Sequence, residues 1–95
     1  MLVLPEDITI HNVKKMQTEL LDYIEKQVEN NKAELILDAK KLVDIDAAGL
    51  QLLLSAYLTA QEEDFSFELK NAGDYLIEVL NLSGANDVFD LSKGG

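Results

Sequence analysis

The apolar positions change their period several times along the chain, and each change predicts a different element. Leu2, Val3 and Leu4 form a short apolar run that Pro5 ends. Proline has no N–H to give to a sheet ladder, so this run predicts an edge strand, or one that stops at Pro5. Ile8 and Ile10 resume alternation around Thr9. From Val13 the period becomes helical: Val13, Met16, Leu20, Leu21, Ile24 and Val28 recur at three- and four-residue steps. The opposite face carries Lys14, Lys15, Glu19, Asp22, Glu25 and Lys26, which completes an amphipathic helix. Thr9 or Asn12 is placed to cap its start, and Asn30-Asn31 fits its end.

Glu34-Leu35-Ile36-Leu37-Asp38 is an apolar run bounded by charge, directly after a helix, and predicts a central strand covered on both faces. Ala39 to Ala48 is expected to be a loop. Leu50, Leu53, Leu54, Tyr57 and Leu58 then fall on one helical stripe that Glu62-Glu63-Asp64 ends. Phe65, Phe67 and Leu69 alternate with polar residues, which predicts a strand with one buried face. A turn at Asn71–Asp74 leads to a third helix on Tyr75, Leu76, Val79 and Leu80, stopping near Ser83-Gly84. Val88, Phe89 and Leu91 are expected to pack back on the sheet. Strands alternating with helices imply crossover units. The predicted fold is α/β, a small mixed and mainly parallel sheet with helices packed against it. One domain is expected over residues 1–92, with Lys93-Gly94-Gly95 as a flexible tail.

Composition adds few constraints and removes several function classes. With 8 Lys and Arg against 18 Asp and Glu, the net charge is −10. Such a chain repels nucleic-acid phosphates and anionic membrane surfaces, so neither nucleic acid nor direct membrane insertion is expected. The charge serves solubility, or steers the chain towards a basic patch on a protein partner. With no Cys, disulfide and thiolate chemistry is excluded. The N-terminus has no basic region and no long apolar run, so it is not read as a signal peptide, and the chain is read as cytoplasmic.

The segment with most chemical information runs from Leu35 to Leu50. A strand ends in Asp38, a loop follows, and Asp46-Ala47-Ala48-Gly49-Leu50 delivers the chain to a helix N-terminus. That end exposes free backbone N–H groups and a positive dipole end. Asp46 can cap it. A glycine in the first turn costs helix propensity, so Gly49 points to close approach by other backbone or by a partner. This segment resembles the signature of the STAS family, the anti-sigma-factor antagonists: a strand-end Asp, a short loop, then Asp-Ser-Ser-Gly-Leu opening a Leu-rich helix. Asp38, Asp46, Gly49 and Leu50 match it, and Leu4-Pro5-Glu6-Asp7-Ile8-Thr9-Ile10 resembles the opening of short-fronted members.

The resemblance implies a non-catalytic bacterial signalling module that acts by protein–protein binding and needs no cofactor or metal. It implies a partner-binding loop of Asp44, Asp46, Ala47, Ala48, Gly49 and Leu50, continued into the helix to Leu54. In family members with the serine, a kinase-like anti-sigma factor phosphorylates the position that Ala48 occupies here, and the added charge breaks the complex. A methyl group cannot accept phosphate. The small residues of Asp46-Ala47-Ala48-Gly49-Leu50-Gln51 read as a natural branch without the serine rather than an engineered Ser→Ala change. Such branches serve chemotaxis-type signalling or the lipid-asymmetry transporter. The implied partner is therefore a kinase-like anti-sigma factor, a chemotaxis-type protein, or the ATPase subunit of an ABC-type lipid transporter.

Other residues compete for attention. Asp38, Asp44 and Asp46 could hold Mg²⁺ as in a phosphoacceptor domain, or serve as strand end, solvated acid and cap. His11 has no identifiable nucleophile or orienting partner and reads as a surface residue. Tyr23, Tyr57 and Tyr75 lie on or beside helical stripes, as core or rim. Leu52 falls outside the predicted stripe, where it either broadens the buried face or is exposed to a partner. Lys40-Lys41 serves solubility or a contact with acidic groups or phosphate. Ser55 and Thr59 are the nearest hydroxyls to Ala48 and read as ordinary helix surface.

Overall fold

A computed structural model describes residues 1–83 and 91–92. In chain order the elements are β1 (Leu2–Val3), β2 (Asp7–Ile8), α1 (Val13–Glu29), β3 (Glu34–Asp38), β4 (Asp44–Ile45), α2 (Ala47–Glu62), β5 (Ser66–Lys70), α3 (Asp74–Ser83) and β6 (Leu91–Ser92). One four-stranded sheet runs β1-β3-β5-β6, and β2 and β4 form a separate two-stranded ribbon. Every described pairing is parallel, as crossover helices require. β1 sits at the edge beside Pro5, so the missing proline N–H costs no ladder bond. Val88, Phe89 and the tail 93–95 lie outside the described residues, whereas Leu91 pairs with Leu69.

Alternation along the central strands decides where the core lies. Leu35 and Leu37 on β3 and Leu69 on β5 are fully buried, whereas Glu34 and Ile36, which alternate with the β3 leucines, are only half-buried. The expectation of a strand covered on both faces is therefore corrected: one face carries the core. Met16 and Leu20 of α1, Leu53 and Ala56 of α2, and Leu76 and Leu80 of α3 complete it. Neighbouring Tyr57 and Phe67 pack edge to face, with ring centroids 5.7 Å apart.

Both long helices are rotated from the predicted stripes. α2 buries Gly49, Leu52, Leu53, Ala56 and Ala60, so its inner face is built largely from small residues. Leu58, expected inside, is 50% exposed. Leu52 is buried, which settles its role as a broadening of the inner face. On α1, Leu21 and Val28 are likewise about half exposed, at 53% and 51%. The physical reason is the close approach of α2 to its neighbours, for which glycine and alanine are better suited than leucine. The element ends follow the sequence closely: Asn31 and Asp64 adopt positive φ of 56° and 57° just after α1 and α2, and Asn71 adopts 57° just after β5.

Candidate functional site

The segment Ala39 to Ala48, expected to be a loop, contains β4, and α2 begins within it at Ala47. Asp44–Ile45 pairs in parallel with Asp7–Ile8, placing Asp44 beside Asp7 and Ile45 beside Ile8. Val43 and Asp44 N–H groups both donate to the Glu6 carbonyl, at 2.8 and 3.1 Å, and Asp46 N–H reaches the Ile8 carbonyl at 3.4 Å. The segment 43–46 is thereby fastened to the chain's own N-terminal segment. Sequence reading missed this because a two-residue parallel pairing leaves no periodicity to detect.

Asp46 joins three segments. Its Oδ1 accepts from Gly49 N–H at 3.0 Å, which caps α2, and its Oδ2 accepts from Ile10 N–H at 2.9 Å. The Ile10 and Gly49 amides, in that order, hold the Asp46 carboxyl below the usual carboxylate range, with burial opposing them and the Ala48 amide adding to them in a smaller way.

 Replacing Asp46 with alanine removes both acceptors at once. The expected result is a melting temperature lower by several degrees, with faster amide hydrogen exchange in the first turn of α2 and at Ile10. Unchanged exchange at Ile10 would show that its bond to Asp46 does not hold the segment in solution.

Gly49 is buried, and the reason is steric. A Cβ at this position would run into the Ile8 carbonyl oxygen and lie 2.7 Å from Ile45 Cγ1. Of the two readings of this glycine, close approach by other backbone is therefore the one the fold accounts for. Ala47 is exposed, Ala48 and Leu50 are half-buried, and Asp44 is exposed. The predicted loop residues thus divide. Ala47 and Asp44 face solvent at the start of α2, Ala48 borders the cleft towards α1, and Asp46 and Gly49 hold the loop in place.

Two partners of this loop gave no signal in the sequence. Tyr75, in the first turn of α3, has its Oη 3.2 Å from the Ile45 N–H, which donates to it, and 3.4 Å from the Ile45 carbonyl. Ile8 supplies the carbonyl that Gly49 approaches. Asp38 lies apart from this site, at the carboxyl end of β3, with its side chain only 4% exposed. Its Oδ1 accepts from Asn71 Nδ2 at 2.9 Å and from Lys40 N–H at 3.0 Å, and Lys40 Nζ stands 3.9 Å from Oδ2. Among the described residues, Asp38, Asp44 and Asp46 do not form a group able to hold a metal ion. His11 is exposed, and its N–H donates to Thr9 Oγ1. Asn12 occupies the cap position of α1, but its Oδ1 accepts from Thr9 N–H instead of capping the helix.

Comparison with known proteins identifies this arrangement. Residues 1–92 match the protein family described as Mlab, STAS domain. The chain belongs to the STAS family. The same architecture is found in the crystal structure of a candidate anti-sigma factor antagonist from Thermotoga maritima, with a TM-score of 0.79 and 14% sequence identity. The match covers 96% of this chain and 77% of that one. At that identity the likeness shows a shared fold. No curated protein sequence matches the chain. Within this STAS domain, no described helix is long and apolar enough to cross a membrane.

Proposed function

We propose that this STAS domain is a non-catalytic regulatory module that binds a protein partner through the loop Asp44–Gly49 and the start of α2. One observation carries the reading: the loop is held from inside, by the Asp46 cap and the Gly49 contact, while Ala47 faces outward at the helix end. A rigid surface of small side chains lets another protein approach the backbone closely, with little ordering cost on binding. The partner class is a kinase-like anti-sigma factor or a chemotaxis-type protein, and the working compartment is the cytoplasm. Because Ala48 carries no hydroxyl, control of the complex comes from the partner, from abundance or from another modification.

A second reading makes the chain an accessory subunit that uses the same loop on the ATPase subunit of an ABC-type lipid transporter. The description of the matching family as Mlab, STAS domain supports it. Affinity capture from the native cell, with wild type beside Ala48→Glu, tests the site for either class. A carboxylate at this half-buried position is expected to reduce recovery of the main partner at least tenfold, with the melting temperature little changed. Equal recovery would remove the loop as the interface.

A further inference from the structure

Gln27 and Asp38 are the buried polar side chains among the described residues. Asp38 is satisfied at the carboxyl end of β3 by Asn71 and Lys40. Gln27 stands on the buried stripe of α1 with Met16 and Leu20, whereas Val28, which the apolar period favoured, is exposed. An apolar residue at position 27 would pack without needing a partner, but a buried glutamine requires one. Its partner is backbone: Gln27 Nε2 donates to the Glu34 carbonyl at 2.7 Å. One turn earlier on the same side of α1, Tyr23 Oη accepts from the Ile36 N–H at 3.1 Å.

Both contacts fall on the part of the β3 edge that β1 leaves open. β3 pairs with β5 along its whole length, Glu34 to Asp38, but with β1 only at Leu37 and Asp38. In a parallel ladder, one residue of the neighbouring strand donates to a carbonyl and accepts from the N–H two residues further on. The Glu34 carbonyl and the Ile36 N–H are such a pair. Gln27 supplies the donor and Tyr23 the acceptor that a neighbouring peptide would supply. Beside them a cleft of about 620 Å³ lies between β1 and α1, with Met1 and Val3 on one side and Tyr23 and Gln27 on the other. An unpaired strand edge beside such a space is a template for an added strand. A second tyrosine repeats the arrangement: Tyr75 Oη accepts from the Ile45 N–H, and β4 has β2 as its one described neighbour.

We infer that Tyr23 and Gln27 guard the edge of the sheet: their side chains close the free half of β3 against strand addition, and the edge takes up an extended peptide once they are removed. With the guard in place, an incoming strand must break two hydrogen bonds in order to make two, so it gains little. The strand that the freed edge accepts is basic. Glu19 and Asp22 outnumber Lys26 among the charged residues of the cleft, and the chain carries a net charge of −10. The inference does not depend on the loop reading, since Glu34–Ile36 forms the amino end of β3 and the loop follows its carboxyl end.

The test is Tyr23→Phe combined with Gln27→Met, which keeps the ring and the side-chain length and removes the hydroxyl and the amide. The probe is a peptide of about six residues alternating Val and Lys. It is titrated into the ¹⁵N-labelled wild type, both single variants and the double variant. The double variant is expected to bind it about tenfold more tightly than wild type or better, with the single variants between them. Amide shift changes should centre on Leu35 and Ile36, and hydrogen exchange at Ile36 should slow in the complex. Equal affinity for wild type and double variant would overturn the inference, as would shifts centred elsewhere. So would no binding to a double variant whose spectrum is that of a folded domain. If the double variant does not fold, the single variants decide: each should still bind more tightly than wild type, and equal affinity in both overturns the guard. A double variant that dimerises with Ile36 protected supports it, with a second copy as the added strand.

Discussion

Replacing Gly49 with alanine is expected to destabilise the domain by about 2 kcal/mol or more, although alanine is the better helix former. The gain in propensity is about 1 kcal/mol. Against it stands a methyl group directed at the Ile8 carbonyl oxygen and at Ile45 Cγ1. The Ile8 carbonyl is backbone, held by the β2–β4 pairing and facing the Asp46 N–H, so it cannot rotate away as a side chain would. Overpacking of this kind typically costs 1–3 kcal/mol, and more where the obstacle is rigid. Relief requires α2 to move off the ribbon, which loosens Asp46 and the start of the helix together. Urea denaturation measures the effect. A variant as stable as wild type would show that the ribbon yields easily and that Gly49 is not what seats α2.

The second large effect is expected at Asp38. Substitution by alanine removes a buried carboxylate and leaves the half-buried Asn71 Nδ2 and the Lys40 N–H without their acceptor. A buried polar group left without a partner costs about 1–3 kcal/mol, and water can reach both donors in part, so a loss of roughly 1–3 kcal/mol is expected for this network. Asp38→Asn keeps an acceptor oxygen and should cost less. The comparison separates the geometry of the network from its charge. The pH dependence follows from the same contacts. The Asn71 amide foremost, then the Lys40 N–H and the Lys40 and Lys70 charges, outweigh burial and hold the Asp38 carboxyl below its ordinary range. The folded state therefore binds this proton less readily than the unfolded chain. Its stabilisation is fully present above the unfolded value, about 3.9, and is lost as pH falls through the lower folded value. Stability measured from pH 6 downward should decline below about pH 4, with a smaller decline in Asp38→Asn. Equal acid limbs would show that the Asp38 charge contributes nothing. Asp46, shifted in the same direction, contributes to the limb that remains.

The order of elements was legible in the sequence because it depends on local periodicity. The helix of Val13–Glu29, the strand of Glu34–Asp38 and the alternation ending in Leu69 each repeat at a spacing that one short window reveals. Asp46 was legible as a cap for the same reason, since its partner Gly49 lies three residues away. The loop between β3 and α2 could be singled out as a candidate site because its residue types, read in order, resemble a family signature, and residues 1–92 match that family.

What the sequence could not disclose was every contact that joins distant segments. The Asp46–Ile10 bond spans 36 residues, and the Tyr75–Ile45 contacts span 30. No local window contains both partners of either. The rotation of α2 was hidden because leucines draw attention to themselves, whereas the true inner face runs through Gly49, Ala56 and Ala60. Small residues give little hydropathy signal, yet they let helix and ribbon come within contact distance. The sequence by itself therefore determined the three helices, the longer strands, their order and the loop that opens α2, but not the β2–β4 pairing within that loop. The tertiary structure decided which side of α2 faces the core, why Gly49 must be glycine, and how Asp46 ties α2 to the N-terminal segment. Those outcomes depend on which surfaces meet, and that is set by packing across the whole domain.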